Sequence, residues 1–91
     1  MNLFELAKDG AVDLIRSAHW TQEELNRQDE SGRTALMYAA MFGKYKVIEA
    51  LKEAGADLDV TDKDGLKAVH HAANNGHGMA IIYLIEGGCG G

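Results

Sequence analysis

DESGRTALMYAAMFG, residues 29–43, returns 33 positions later as DKDGLKAVHHAANNG, residues 62–76. Asp29 falls on Asp62, Gly32 on Gly65, Ala35 on Ala68, Ala39-Ala40 on Ala72-Ala73 and Gly43 on Gly76. The register runs on through Ile48 and Ile81, Leu51 and Leu84, Glu53 and Glu86, and Gly55 and Gly88. Backward, Leu3 lies under Leu36, Ala7 under Ala40, Gly10 under Gly43 and Ile15 under Ile48. A fixed period of about 20–50 residues is the mark of a solenoid, whose units stack on their neighbours to share one core. The functional question becomes what the stack holds.

Within one period the apolar residues follow helical spacing. Leu36, Ala39 and Ala40 share one face of a helix near 34–41, and Val47, Ile48 and Leu51 share one face of a second near 44–53. Gly43 between them allows a sharp turn into an antiparallel partner. The next block repeats this near 67–74 and 78–86 around Gly76, and the first near 2–8 and 11–18 around Gly10. Thr21-Gln22-Glu23-Glu24 has the form of a capping box and predicts one short extra turn. The alanine pairs keep bulk off the first helix of each block, so neighbours can approach closely. Asp29-Glu30-Ser31-Gly32 and Asp62-Lys63-Asp64-Gly65 read as tight turns, because Asp bonds to its own backbone and Gly accepts positive φ.

Asp29-x-x-Gly32-x-Thr34-Ala35-Leu36-Met37-Tyr38-Ala39-Ala40-x-x-Gly43, then Val47-Ile48, Leu51 and Gly55-Ala56-Asp57, resembles the ankyrin-repeat pattern. Asp62, Gly65, Ala68, Val69, His70, Ala72, Ala73, Gly76, His77, Ile81 and Leu84 carry it in the third block, and the likeness covers nearly the whole chain. It implies an all-α ankyrin-repeat solenoid of helix-turn-helix units joined by β-turn or hairpin loops. The expected organisation is one domain, 1–91, with a cap-like first repeat at about 1–25, a second at about 26–58 and a C-terminal, imperfect third at about 59–91. Ala stands for the family's Pro at 35 and 68, Lys67 for its Thr and Met37 for its His. The Thr–His hydrogen bonding that tightens this turn is thus incomplete in both full repeats, and an array less stable than a consensus one is expected.

Ninety-one residues suit one domain with a thin stability margin. A net charge of −5 argues against nucleic acid and anionic membrane as partners, which need clustered Lys and Arg, and favours a protein with a basic surface. One cysteine excludes an intrachain disulfide. The N-terminal stretch has no signal-peptide pattern and no apolar run approaches the ~18 residues of a membrane span, so a cytoplasmic protein is expected.

No set of residues carries catalytic chemistry. His70, His71 and His77 come nearest to a metal cluster, but helical neighbours point about 100° apart and no Cys or carboxylate stands at a supporting spacing. Cys89 has no basic neighbour to make it a thiolate. Asp29 and Asp62 are turn formers, and no glycine loop has the form of a phosphate cradle. No catalytic residue, metal or cofactor is expected.

What remains is recognition. The resemblance implies that partners bind turn tips and the exposed part of the first helices: Glu30, Ser31, Arg33, Met41 and Phe42 in the second repeat, and Lys63, Asp64, Leu66, Asn74 and Asn75 in the third, with Lys8 and Asp9 from the first. Met41-Phe42 stands out as an anchor pair of the kind found at interface centres, set against the reading that Phe42 packs under the next turn. Trp20 is a second anchor candidate or a cover for the end of the first outer helix. On the outer helices the second repeat presents Lys46, Glu49, Lys52 and Glu53, and the first Asp13, Arg16, His19 and Trp20. The third presents Met79, Ile82 and Ile85, an apolar stripe where a terminal repeat ordinarily turns polar. Three readings stand open: a longer array of which these residues are a fragment, a partner or homodimer surface, or a helix rolled so that the stripe faces inward.

Overall fold

The computed structural model describes residues 2–86. Among them the helices run α1 (Leu3–Asp9), α2 (Val12–Ser17), α3 (Gln22–Leu25), α4 (Ala35–Met41), α5 (Tyr45–Ala54), α6 (Ala68–Asn74) and α7 (Gly78–Glu86), with no strand. Cys89 and the glycines from Gly87 onward lie outside the described residues. Three antiparallel pairs, α1–α2, α4–α5 and α6–α7, stack side by side: α4 packs between α1 and α6, and α5 between α2 and α7. The extra turn at Thr21 is α3.

Local chemistry sets the helix starts. Asn2 Oδ1 accepts the Glu5 N–H at 3.0 Å, and Thr34 Oγ1 accepts that of Met37 at 3.3 Å. At α3 Thr21 Oγ1 accepts the Glu24 N–H while the Glu24 carboxylate accepts that of Thr21, closing the capping box. The Thr21 N–H, then the Thr21 hydroxyl, donate to the exposed Glu24 carboxylate and hold it below the usual glutamate range. Lys67 offers no such oxygen to α6. There His70 Nδ1 accepts the Lys67 N–H at 2.9 Å, so the third repeat keeps only the histidine half of the bonding expected of the turn.

The pairs close through one repeated device. At Gly43, with φ +68°, the Lys44 N–H reaches back to Ala39 O at 2.8 Å and the Gly43 N–H to Ala40 O at 3.2 Å. These two bonds are the Schellman pattern, in which a left-handed residue satisfies the last carbonyls of a helix. The same bonds recur around Gly10 and Gly76. Between the pairs, Ala7, Ala39, Ala40 and Ala72 are wholly buried, and Ile15, Leu25, Leu36, Val47, Ile48 and Leu51 fill the core. Each such large side chain stabilises the fold by about 1.5–3 kcal/mol through burial.

The structure corrects the outward placing of Trp20 and Lys52, leaves Trp20 as a cover for the end of the first outer helix, and closes one of the three open readings of the stripe. Trp20 is not on an outward face: α2 ends at Ser17, Ala18 is extended, and the indole packs on the core with Nε1 donating to Ile15 O at 2.9 Å. Lys52 is half-buried and donates to Tyr83 O on α7. Met79, Ile82 and Ile85 have not rolled inward, since all three are exposed. No helix among the described residues is long and apolar enough to cross a membrane.

Candidate partner-binding surface

Two turns and the ends of α4 and α6 carry the residues singled out by the repeat. In the first turn Asp29 Oδ1 accepts the Ser31 and Arg33 N–H groups, both at 2.9 Å, and Oδ2 accepts the Tyr38 hydroxyl. In the second, Asp62 Oδ1 accepts the Asp64 and Leu66 N–H groups at 2.9 and 3.0 Å, and Oδ2 meets His71 Nε2 at 2.7 Å. Burial pushes both carboxyls up, but these hydrogen bonds, with the charge of Arg33 or His71, outweigh it and hold each below the usual aspartate range. Burial, then the bond to Asp29 and its charge, push the Tyr38 phenol up against the opposing pull of Arg33.

The turns are tied to one another. Lys63 N–H donates to Ser31 O at 3.1 Å, and Gln28 Nε2 donates to Gly32 O and Thr61 O at 2.8 and 2.9 Å. The tips are thus adjacent and fixed. Glu30, Ser31, Lys63 and Asp64 are exposed, while Arg33 and Leu66 are half-buried. Arg33 Nε is buried and has no acceptor among the described residues.

At the helix ends Phe42 is the C-cap of α4 and is 49% exposed, so it does not pack under the next turn. Met41 is half-buried. Its carbonyl accepts Asn75 Nδ2 at 3.2 Å and His77 Nε2 at 2.9 Å, so the third repeat clamps the backbone from which Phe42 projects. The carbonyl can only accept, which places the proton of His77 on Nε2. Asn74 and Asn75 are exposed. Phe42 follows Tyr38 by four residues, one turn on at the end of α4.

Three contributors, Phe4, Tyr38 and His71, went unread in the sequence as parts of this surface. Lys8 Nζ lies 4.5 Å from the centre of the Tyr38 ring, and Phe4 meets that ring edge-on at 5.9 Å. Tyr38 thereby joins the first repeat to the second turn. His71 has the carboxylate partner that spacing alone did not suggest, Asp62, and the two are buried together. The shared nine-residue step from Asp29 to Tyr38 and from Asp62 to His71 was the available signal. Among the described residues no three His, Cys, Asp or Glu side chains group as a metal site.

Comparison with known proteins agrees with this geometry. Residues 3–90 match the family described as ankyrin repeats (3 copies). The chain is 34% identical over 86 residues to an ankyrin repeat domain-containing protein, SAT10, of Stachybotrys chartarum, covering 94% of this chain and 4% of that one. It is 34% identical over 61 residues to the human Notch-regulated ankyrin repeat-containing protein, covering 67% of this chain and 54% of that one. The chain therefore spans between a small part and about half of these relatives. Among solved structures it resembles a chain in the crystal structure of the yeast ribosomal protein Rps3 in complex with its chaperone Yar1. That match has a TM-score of 0.84 and 26% identity, and covers 93% of this chain and 64% of that one.

Proposed function

Because the chain belongs to the ankyrin-repeat family, we propose that it is a non-catalytic, cytoplasmic protein-interaction module, an adaptor, scaffold or inhibitor that holds a cognate protein on its turn tips and first helices. Phe42 carries this reading: a half-exposed aromatic side chain on a backbone that Asn75 and His77 hold in place. An anchor whose backbone is already held loses less freedom on binding, so more of its contact energy appears as affinity. Arg33 supports it as a half-buried cation in the turn beside Tyr38. Glu30, Ser31, Lys63, Asp64, Leu66, Asn74 and Asn75 surround these anchors as the variable rim. The net charge of −5 favours a partner with a basic surface. The likeness to a complex of a chaperone with its client supports a protein as the ligand.

The test is affinity capture on the immobilised chain, followed by titration of the captured protein. Phe42→Ala and Arg33→Ala are each expected to weaken binding roughly 30-fold or more, as interface anchors do, with unchanged circular dichroism. Full retention by both variants overturns the reading.

A second reading rests on Met79, Ile82 and Ile85, large apolar side chains left in solvent along α7. They would form a homodimer contact through the last outer helix. Light scattering decides it: a dimer lost on Ile82→Glu is the expected result, and a dimer that persists in that variant overturns it.

A further inference from the structure

The three repeats supply their own reference for which residues face a neighbour. Position 14 recurs at 47 and 80. Val47 is 1% exposed and Ala80 is fully buried, yet Leu14 is 55% exposed. Among the described residues no pair stacks ahead of the first, so this column faces the preceding unit. At the other end the relation is inverted. Met37 and Ala40 are buried, while their counterparts His70 and Ala73 are exposed. Ile15 and Ile48 are buried and Ile81 only half so. Lys52 leans across to the Tyr83 carbonyl of the following pair, while its counterpart Ile85 is 68% exposed. These columns face the following unit, and among the described residues none follows the third pair.

We propose that copies of this chain stack head to tail, the α6–α7 end face of one copy (Ala73, Ile81 and Ile85) seating on the α1–α2 end face of the next around Leu14. The occupant follows from continuity with an interface already present. The equivalent half-surfaces of the other repeats meet twice inside the chain, where α1–α2 packs on α4–α5 and α4–α5 on α6–α7. A second copy brings the matching half without any change of fold. Met79 and Ile82 take no part. Their counterparts Asp13 and Lys46 are exposed, and Arg16 and Glu49 meet only at the solvent-exposed edge between the first two repeats, so those columns lie at the rim of a repeat interface and not in its core. The proposal thus differs from a dimer through the outer face of α7. The contact joins unlike faces and does not close on itself, so it adds copies with concentration.

Sedimentation equilibrium on the whole chain tests it. The average mass is expected to climb past that of a dimer as concentration approaches about 1 mM, the range of a weak contact. Leu14→Glu and Ala73→Glu change side chains that are exposed in the single copy, so each keeps its fold by circular dichroism. Each is expected to stay monomeric, since either leaves one end face blocked. Mixed in equal amounts they regain one intact pair of faces and form a dimer that grows no further. Ile82→Glu leaves wild-type growth unchanged. A wild-type chain that stays monomeric throughout overturns the proposal, as does a mixture that stays monomeric. Growth that survives Leu14→Glu, or a closed dimer abolished by Ile82→Glu, overturns it as well.

Discussion

Gly43→Ala isolates the clamp that holds the proposed anchor. Gly43 and Gly76 have nearly the same backbone, φ +68° and +72°, and each closes a helix pair with the same two hydrogen bonds. An alanine at either suffers the left-handed conformation, roughly 1–2 kcal/mol. Their surroundings differ. A Cβ at Gly43 would stand 2.7 Å from His77 Nδ1 and 2.9 Å from Cγ, while one at Gly76 meets nothing within 4 Å. The ring must move, and its donation to the Met41 carbonyl goes with it, leaving Asn75 as the remaining donor. That bond is worth about 0.5–1.5 kcal/mol net. Gly43→Ala should therefore cost about 1 kcal/mol more than Gly76→Ala, or roughly 4–8 °C in Tm for a chain of this size. Urea unfolding followed by circular dichroism measures both. In a His77→Ala background the clash is gone and the two alanines should cost the same. Equal costs in the otherwise native chain would refute the steric reasoning, and so would a difference that persists without His77.

Three further outcomes follow from the same geometry. Asp29 and Asp62 have folded-state values below their unfolded ones, so the stability they contribute is fully present above the ordinary aspartate value of about 3.9 and is lost as pH falls through the lowered values. Urea midpoints should hold from neutrality to about pH 5 and drop below about pH 4, and Asp62→Asn should flatten that drop while lowering the plateau. Tyr38→Phe removes the hydroxyl donor from Asp29 but leaves its two backbone donors, so it should cost about 1 kcal/mol and raise the Asp29 titration midpoint seen by NMR. Ile48→Ala empties a fully enclosed site and should cost about 2–5 kcal/mol, whereas Ile81→Ala, at the half-buried counterpart, should cost clearly less.

What the repeat makes legible is the column to which a residue belongs, not the chemistry across it. Leu36, Ile48 and Leu51 read correctly as core because helical spacing and the period agree on them. Trp20 did not, because the 33-residue step lays it on Glu53 of an outer helix, while α2 ends at Ser17 and leaves residue 20 free to turn its indole onto the core. Lys52 reads as solvated by residue type, yet its long stem reaches a carbonyl of the next pair, a contact only the stacked structure supplies. One column shows the limit plainly. Position 16 is Arg, 49 is Glu and 82 is Ile. Arg16 bonds Glu49 at 3.0 Å and Glu53 beside it, so the first two repeats are joined by charge at the surface. Such exposed pairs are worth about 0–1 kcal/mol, and their loss at Ile82 takes little from the fold. An apolar residue there is therefore tolerated by the stack without being required by it. The structure alone gives α7 no reason to carry Ile82 in solvent, and this separates it from Ile85, whose counterpart Lys52 leans half-buried onto the next pair. Substituting the two residues one at a time in the same sedimentation experiment will show whether α7 presents two surfaces or one.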